Sequence, residues 1–306
     1  MGLVNIIIPF IILISVVVFV HEYGHYYYAK KYGVKVTDFS IGFGKELFGW
    51  TDKDGTRWKV CLIPLGGYVK FFGDTNPASQ PEKLSTFSEK EKTYLLATKK
   101  LYQRAIIVSA GPIANFILAL VIFSCVYMFF GKDFSVPVIQ DVKIDSPAYK
   151  AGLKKGDQIL NINDKKITSI TEVSQSIALS ETNLIKITIL RDKKEYDLQV
   201  QAIVEATKDQ LGNNLNRKMI GIQIIPLNNE LNRQKLGPAK AIYYSLKEIW
   251  FTISTTMSYV GKMIIGTEKA DQLGGPIKIA QISGQVAELG VIPFLSIMAY
   301  ISISLG

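Results

Sequence analysis

Four apolar stretches alternate with polar segments along the chain. The first runs from Leu3 to Val20, and the second runs from Ala105 to Phe130 with only small and a few polar residues as interruptions. Because a membrane-spanning helix needs about 20 apolar residues, both are long enough to cross a bilayer. The third, Ala241 to Ile265, contains charged residues and many Ser and Thr, and we predict a third span that packs through small residues. The fourth, Pro293 to Leu305, is too short to span by itself.

This pattern predicts an α-helical polytopic membrane protein with an inserted α+β domain and a membrane-associated β-hairpin. The first span takes up residues 1–30, and the second takes up residues 105–130. Between them lies a polar loop, residues 31–104, and after them an outer-face region, residues 131–238. Residues 239–306 hold the third span and the start of a fourth.

The loop between the first two spans contains an apolar, β-prone stretch from Trp58 to Gly73, interrupted by Pro-Leu-Gly-Gly at 64–67. We predict a hairpin at about 56–73 that breaks at this sequence. Its apolar density favours a hairpin that dips into the bilayer, and an ordinary soluble hairpin is the alternative. In the first case Gly66 and Gly67 would present a free backbone edge to an unwound substrate strand. In the second they form a plain turn.

The outer-face region has the alternating pattern of a small folded domain at about 136–205. Turn residues at 155–157 and 163–164 separate its elements. The predicted elements are a strand at 136–144, a short helix from Asp145, a strand from Gln158, a helix at 172–179, and strands at 185–190 and 196–200.

The distribution of positive charge along the chain predicts its orientation in the membrane. Residues 30–104 hold fourteen Lys and Arg against eight Asp and Glu. The positive-inside rule therefore places this loop in the cytoplasm, and it places the N-terminus and residues 131–238 on the outer face. The chain is 48% hydrophobic and 20% charged, and its net charge is +9. The lysines are spread out without a nucleic-acid-binding motif, so we expect a lipid bilayer as partner and no nucleic acid.

The two histidines of the chain, His21 and His25, lie four residues apart at the end of the first apolar stretch, with Glu22 between them. Positions i and i+4 share one face of a helix, so both imidazoles can reach one metal ion. Glu22 can then act as a general base towards water. Ionisable residues beside a membrane-length apolar segment are costly unless they function, which favours a zinc site over a solvated surface pair. Cys61 and Cys125 lack metal-site spacing, and we expect no disulfide between them.

Together these motifs resemble the site-2 protease family, of the bacterial regulator-of-sigma-E protease type. The resemblance covers nearly the whole chain, and the motifs follow the family's order. They are HEYGH at 21–25, PLGGYVKF at 64–71, GPIANF at 111–116, the PDZ-like SPAYKAGLKKGDQILNINDKKI at 146–167 and LGGPIKIAQ at 273–281.

The resemblance implies a Zn²⁺ site inside the membrane, with His21, His25 and an aspartate as ligands. That aspartate belongs to an Asn-x-x-Pro-x-x-x-Leu-Asp-Gly motif, which residues 1–306 do not contain. Asp271 is a poor substitute, so we expect the third ligand beyond Gly306 and expect the 306 residues alone to be inactive. Asn115, from the GPxxN pattern, either hydrogen-bonds near the active site or pairs with another helix, and we favour the helix pairing.

The resemblance therefore implies an intramembrane zinc endopeptidase of the bacterial inner membrane. It would cleave single-span membrane proteins such as anti-sigma factors, and its PDZ domain would bind peptide termini or exclude bulky outer domains. One alternative is a non-catalytic membrane PDZ protein that sequesters peptides. Another is a soluble zinc protease anchored by one helix, which is disfavoured because the helix with the HExxH motif is itself hydrophobic.

Overall fold

The computed structural model describes residues 3–75, 84–178, 180, 182–208, 214–265 and 275–306. The chain divides into two compact units. One unit comprises residues 1–126 and 238–306, and the other comprises residues 127–237. In sequence, the second unit is therefore an insertion in the first.

Long helices dominate the first unit, and strands dominate the second. In chain order the helices are α1 (Leu3–Lys31), α2 (Glu89–Lys92), α3 (Leu101–Phe129), α4 (Pro147–Lys150), α5 (Ile170–Ala178), α6 (Pro238–Ile264), α7 (Pro276–Glu288) and α8 (Val291–Leu305). The strands are β1 (Val36–Thr51), β2 (Arg57–Phe71), β3 (Lys132–Asp133), β4 (Pro137–Val142), β5 (Gln158–Ile162), β6 (Lys165–Lys166), β7 (Leu184–Arg191), β8 (Lys194–Gln201), β9 (Ile203–Lys208), β10 (Asn214–Met219), β11 (Ile222–Pro226) and β12 (Arg233–Gln234).

Within the described residues, α1 and α3 are the helices long and apolar enough to cross a membrane. Large apolar side chains on both helices remain exposed, for example Ile12 on α1 and Val121 on α3. The predicted third span at 241–265 is indeed a helix, α6, but it does not meet that criterion. Its polar residues are the reason, because charged, Ser and Thr side chains lower the hydropathy that insertion requires.

The hairpin differs from the prediction. Both parts of β2, before and after the Pro-Leu-Gly-Gly sequence, pair with residues 38–41 of β1, a strand that the sequence pattern did not indicate. Residues 57–60 run in the same direction as residues 38–41 and residues 67–70 run in the opposite direction, so β2 reverses between Val60 and Gly67, and β1 lies between the two arms of the predicted hairpin. Between the pairs Ile41–Gly67 and Phe43–Ile63, β2 has three residues where β1 has one. Residues 64–66 are therefore a bulge, the position in a sheet where proline is tolerated.

The chain also reverses at residues 52–55, between β1 and β2. Asp52 Oδ1 accepts hydrogen bonds from the main-chain N–H groups of Asp54 and Thr56, at 3.0 and 2.9 Å. Gly55 follows with a φ of 84°, a left-handed conformation that glycine adopts without strain. The sequence Asp-Lys-Asp-Gly carries this turn signal, but the three glycines of β1 hid the strand that precedes it.

The hairpin packs against α1 through aromatic rings. Phe39 on β1 is buried, and its ring stacks on Trp58 with centroids 4.2 Å apart. Tyr26 of α1 meets Trp58 edge to face at 5.0 Å. Asp38 and Lys59 add an ion pair at 2.7 Å across the strands. Partial burial raises the pKa of Asp38, but the hydrogen bonds from Lys59 and Thr37 outweigh it and the pKa is lowered.

Two short helices complete the first unit. Gly284 of α7 lies against the main chain of α1, because a Cβ there would be 2.9 Å from Ile6 Cα. In α8, the Tyr300 hydroxyl donates to Glu248 of α6 at 2.7 Å, and the Ser302 hydroxyl donates to the main-chain oxygen of Asn115 at 2.8 Å. Hydrogen bonds thus join α8 to both α6 and α3.

The second unit is a sheet with the strand order β11-β4-β5-β7-β8, covered by α5. Its core consists of inward-facing aliphatic side chains, such as Ile159, Ile187 and Ile189, each at most 1% exposed. The elements expected at about 136–205 are present, except that Leu179 lies outside the described residues. β11 joins the sheet beside β4, so the sheet extends beyond residue 205.

A buried ion pair holds one corner of this unit. Asp157 is 1% exposed, and its carboxylate accepts two hydrogen bonds from Arg191, both at 2.7 Å. Arg191 also donates to the main-chain oxygen of Gly152 at 2.8 Å. This bidentate geometry satisfies a carboxylate that burial would otherwise make very costly.

We predict that Arg191→Met lowers the free energy of unfolding of the second unit by about 3–5 kcal/mol, because it leaves the Asp157 carboxylate buried and unpaired. Lys186→Met is the matched control. Lys186 pairs with Asp164 and Asp197 at the surface, where water screens the charges, so its loss should leave the free energy of unfolding nearly unchanged. Pulse proteolysis in urea measures the unfolding of both variants, and equal urea midpoints for Arg191→Met and Lys186→Met would contradict the prediction.

Candidate metal and catalytic site

The candidate site lies where α1 and α3 approach each other closely. Gly24 makes this approach possible, since a Cβ there would overlap the main-chain oxygen of Ala110 and lie 2.9 Å from Ala114 Cβ. Small residues at a helix contact bring the two backbones together. As a result the His21 and His25 side chains of α1 reach groups on α3.

The two imidazoles converge. The ring centroids of His21 and His25 are 4.9 Å apart, and their Nε2 atoms are 3.2 Å apart. His25 Nδ1 lies 2.8 Å from the main-chain oxygen of Ile107. A carbonyl can only accept, so His25 Nδ1 carries the proton and His25 Nε2 keeps its lone pair. This is the tautomer that a metal-ligating histidine requires.

Gly111 on α3 faces both imidazoles. A Cβ at this position would overlap His25 Nε2 and lie 2.8 Å from His21 Nε2. The absence of a side chain therefore leaves a space bordered by both nitrogen atoms. Zinc–nitrogen bonds are about 2.0–2.1 Å long, so a zinc ion held by both imidazoles would need this space.

Glu22 points to the hairpin. Its side chain contacts Gly67, since a Cβ there would lie 3.3 Å from Glu22 Cγ and 2.6 Å from Val18 Cγ1. The main chain of Val69 forms a hydrogen bond with the Glu22 carboxylate. The structure thus brings Gly67 to the site, whereas Gly66 lies against the Phe43 ring of β1.

Asn115 is fully buried on α3, and its Nδ2 lies 3.1 Å from His21 Nδ1. Of the two alternatives, the side chain therefore takes the position beside the site. Because His21 lies on α1, the same contact also pairs α3 with another helix, and the Asn115 main chain contacts α8 as well.

The donor set fits a zinc ion in part. His21 and His25 supply two nitrogen donors, but the described residues include no group of three His, Cys, Asp or Glu side chains that could hold a metal. Asp271 lies outside the described residues. Asp157 is already bound by Arg191, which removes it as a ligand.

The sequence did not reveal the site roles of Gly24, Ile107 and Val69, because only the fold brings these residues to the HExxH motif.

Comparison with known proteins decides the family. The model of peptidase family M50 matches residues 9–306. The chain belongs to peptidase family M50. This confirms the resemblance inferred from the motifs.

Relatives of this M50 chain carry metalloprotease names. A protein of Agrobacterium fabrum, "Putative zinc metalloprotease Atu1380", is 41% identical over 302 residues, which cover 98% of this chain and 80% of the relative. "Metalloprotease MmpA" of Caulobacter vibrioides is 33% identical over 93% of this chain and 73% of its own length. Among solved structures, the PDZ domain of an SdrC-like protein from Listeria monocytogenes aligns at 22% identity, over 30% of this chain and 90% of that domain, with a TM-score of 0.25.

We predict that Gly111→Ala weakens zinc binding strongly while the helices still form, because the added methyl group takes the space between the two Nε2 atoms. The matched control is Gly261→Ala on α6, where a Cβ meets nothing within 4 Å. Zinc affinity measured by chelator competition on the detergent-solubilised protein tests both. Unchanged affinity in Gly111→Ala would place the metal elsewhere.

Proposed function

We propose that this M50 chain is an intramembrane zinc endopeptidase that hydrolyses peptide bonds in or beside transmembrane segments. One observation carries the proposal. The HExxH residues lie on α1, a helix apolar enough to span a bilayer, and both of their imidazole Nε2 atoms border the space left by Gly111. A soluble zinc protease would not need its metal motif on such a helix.

In this proposal His21 and His25 hold the zinc ion, together with an aspartate that the described residues do not supply. Zinc, when bound, supplies a Lewis acid for amide hydrolysis. Glu22 accepts the proton of the attacking water and delivers it to the leaving amine nitrogen. The Val69 main chain orients the Glu22 carboxylate for both transfers.

The hairpin would present the substrate. A helical peptide hides its carbonyl groups in intrahelical hydrogen bonds, so it must unwind before attack. Gly67 and Val69 of β2 contact Glu22, and we infer that an unwound substrate segment adds there as a strand. Gly67 suits this role because it has no side chain to separate the edge from Glu22.

Exposed apolar side chains on the hairpin support its contact with the bilayer. They lie between Phe43 and Leu65, which includes the turn at residues 52–55. They are Phe43, Leu47, Phe48, Trp50, Val60, Leu62, Ile63 and Leu65, each at least 39% exposed. Apolar patches of this kind mark membrane or protein contacts rather than water-facing surface.

We propose single-span membrane proteins, such as anti-sigma factors, as substrates. The second unit would bind peptide termini or exclude bulky outer domains. It has a groove of about 210 Å³ between α5 and β11, lined by Ile177, Ile222 and Ile224 among others. β11 is an edge strand of its sheet, which favours peptide binding by strand addition.

A second candidate function is a membrane PDZ protein that binds peptides without cleaving them. The observation that favours it is the absence, among described residues, of a third metal ligand beside His21 and His25. Two imidazoles alone hold zinc weakly, since a zinc site normally has three or four protein ligands. Cleavage measurements separate the two candidates.

We predict that Glu22→Gln abolishes cleavage of a reporter transmembrane segment while zinc stays bound, because it removes the proton acceptor and keeps both imidazoles. His21→Ala should lose zinc and cleavage together. These variants are assayed beside the wild-type protein on the same reporter. Glu248→Gln is the control, since Glu248 lies on α6 and contacts Tyr300 rather than the site. Normal cleavage by Glu22→Gln would rule out the general base.

We further propose that the protein is a multi-pass protein of the bacterial inner membrane, with the N-terminus and the second unit on the periplasmic side. The excess of Lys and Arg in residues 30–104 supports this orientation. Lys90 on α2 would then face the cytoplasm, and Lys165 on β6 would face the periplasm.

The orientation predicts opposite labelling of two cysteines in a background without Cys61 and Cys125. Lys165→Cys should react with a membrane-impermeant thiol reagent in spheroplasts, because its strand would face the periplasm. Lys90→Cys should react only after lysis. The reverse pattern would place the second unit in the cytoplasm.

A further inference from the structure

The side-chain amide of Asn115 is buried beside the His21 imidazole, and the direction of their hydrogen bond fixes where the His21 proton lies. Its Nδ2 lies 3.1 Å from His21 Nδ1. An amide nitrogen can only donate, so in this arrangement His21 Nδ1 accepts and the His21 proton is on Nε2. That proton points at His25 Nε2, 3.2 Å away, whose lone pair is free because His25 Nδ1 donates to Ile107.

This arrangement is self-consistent, but it is incompatible with a metal ion. A metal held by both imidazoles needs the lone pair of His21 Nε2, so the His21 proton must move to Nδ1. Nδ1–H then needs an acceptor, and the Asn115 nitrogen cannot be one. The present contact would become a clash between two donors.

The Asn115 oxygen provides the acceptor. Asn115 is 0% exposed, and its Oδ1 is buried without a hydrogen-bond partner in the described part of the chain. A half-turn about the terminal side-chain bond exchanges Oδ1 and Nδ2 without moving other atoms. The rotated amide would present Oδ1 to His21 Nδ1–H, and the rotation leaves untouched the hydrogen bond from the Ser302 hydroxyl to the Asn115 main-chain oxygen.

We propose that Asn115 is a positioning residue for the metal site, which rotates its amide when His21 changes tautomer and then holds the proton on His21 Nδ1. The inference rests on the proposed zinc site. It assigns to Asn115 the role that the Ile107 carbonyl plays for His25. Outer hydrogen bonds of this kind orient the imidazole and typically change metal affinity 10–100-fold.

Two substitutions separate the acceptor role from a packing role. Asn115→Leu keeps a similar volume and removes the acceptor, so Zn²⁺ affinity by chelator competition should fall about 10–100-fold. Asn115→Asp keeps an acceptor in the same place but cannot donate, so its affinity should equal or exceed that of the wild type. Ser124→Ala is the control. Ser124 is a buried polar residue of α3 that donates to Ser245 at 3.2 Å, and its loss should leave Zn²⁺ affinity unchanged.

A spectroscopic measurement reports the tautomer directly. In ¹⁵N-histidine NMR spectra of the solubilised protein, His21 should carry its proton on Nε2 without metal and on Nδ1 with Zn²⁺. In Asn115→Asp the proton should be on Nδ1 in both states, which a merely structural residue would not cause.

The outcomes distinguish this inference from the proposed function. If His21→Ala binds Zn²⁺ as tightly as the wild type, the zinc site itself is wrong. If His21→Ala loses affinity but Asn115→Leu stays within twofold of the wild type, the zinc site stands and the role of Asn115 is overturned. If the Zn²⁺ affinity of Asn115→Asp falls as far as that of Asn115→Leu, the amide nitrogen rather than the oxygen supports zinc binding, and the rotation is overturned.

Discussion

The close contact between α1 and α3 is the constraint on which the candidate site depends. Gly24 allows the α3 backbone at Ala110 to lie where a side chain would otherwise be. At that separation His25 reaches the Ile107 carbonyl, and His21 reaches Asn115. A larger residue at position 24 would separate the helices, and both imidazoles would lose the partners that fix their orientation.

The hairpin depends on the same helix from its other side. Phe39 and Trp58 pack on the Tyr26 face of α1, which fixes the sheet relative to the helix. The strand that carries Gly67 and Val69 therefore lies against Glu22. One helix thus presents its two metal-ligand candidates to α3 and its candidate base to the strand. This division suits an enzyme that must hold a metal on one side and an extended peptide on the other.

Strand and turn predictions succeeded where the sequence signal was local. In the second unit, alternating Ile residues and turns such as Asn163-Asp164 gave β5, β7 and their partners. At Pro64–Gly67 the sequence predicted the change of direction, but it did not show that residues 38–41 of β1 lie between the two arms, because only the strand pairing reveals this neighbour. At the third predicted span the sequence predicted the helix α6, and membrane insertion of this helix stays a prediction. Its hydropathy is below the level of α1 and α3, and its Glu248 accepts a hydrogen bond from Tyr300 of α8.

The sequence by itself determined the family, the HExxH residues and the two apolar helices, because each is written in consecutive residues with a fixed period. It could not determine that Asn115 contacts His21, that Gly111 leaves the space between the imidazoles, or that Gly67 rather than Gly66 meets Glu22. These relations join residues 45 to 94 positions apart in the chain. Only the packing of α1 against α3 and the hairpin brings them together, since side-chain hydrogen bonds and steric contacts act over a few ångströms whatever the sequence separation.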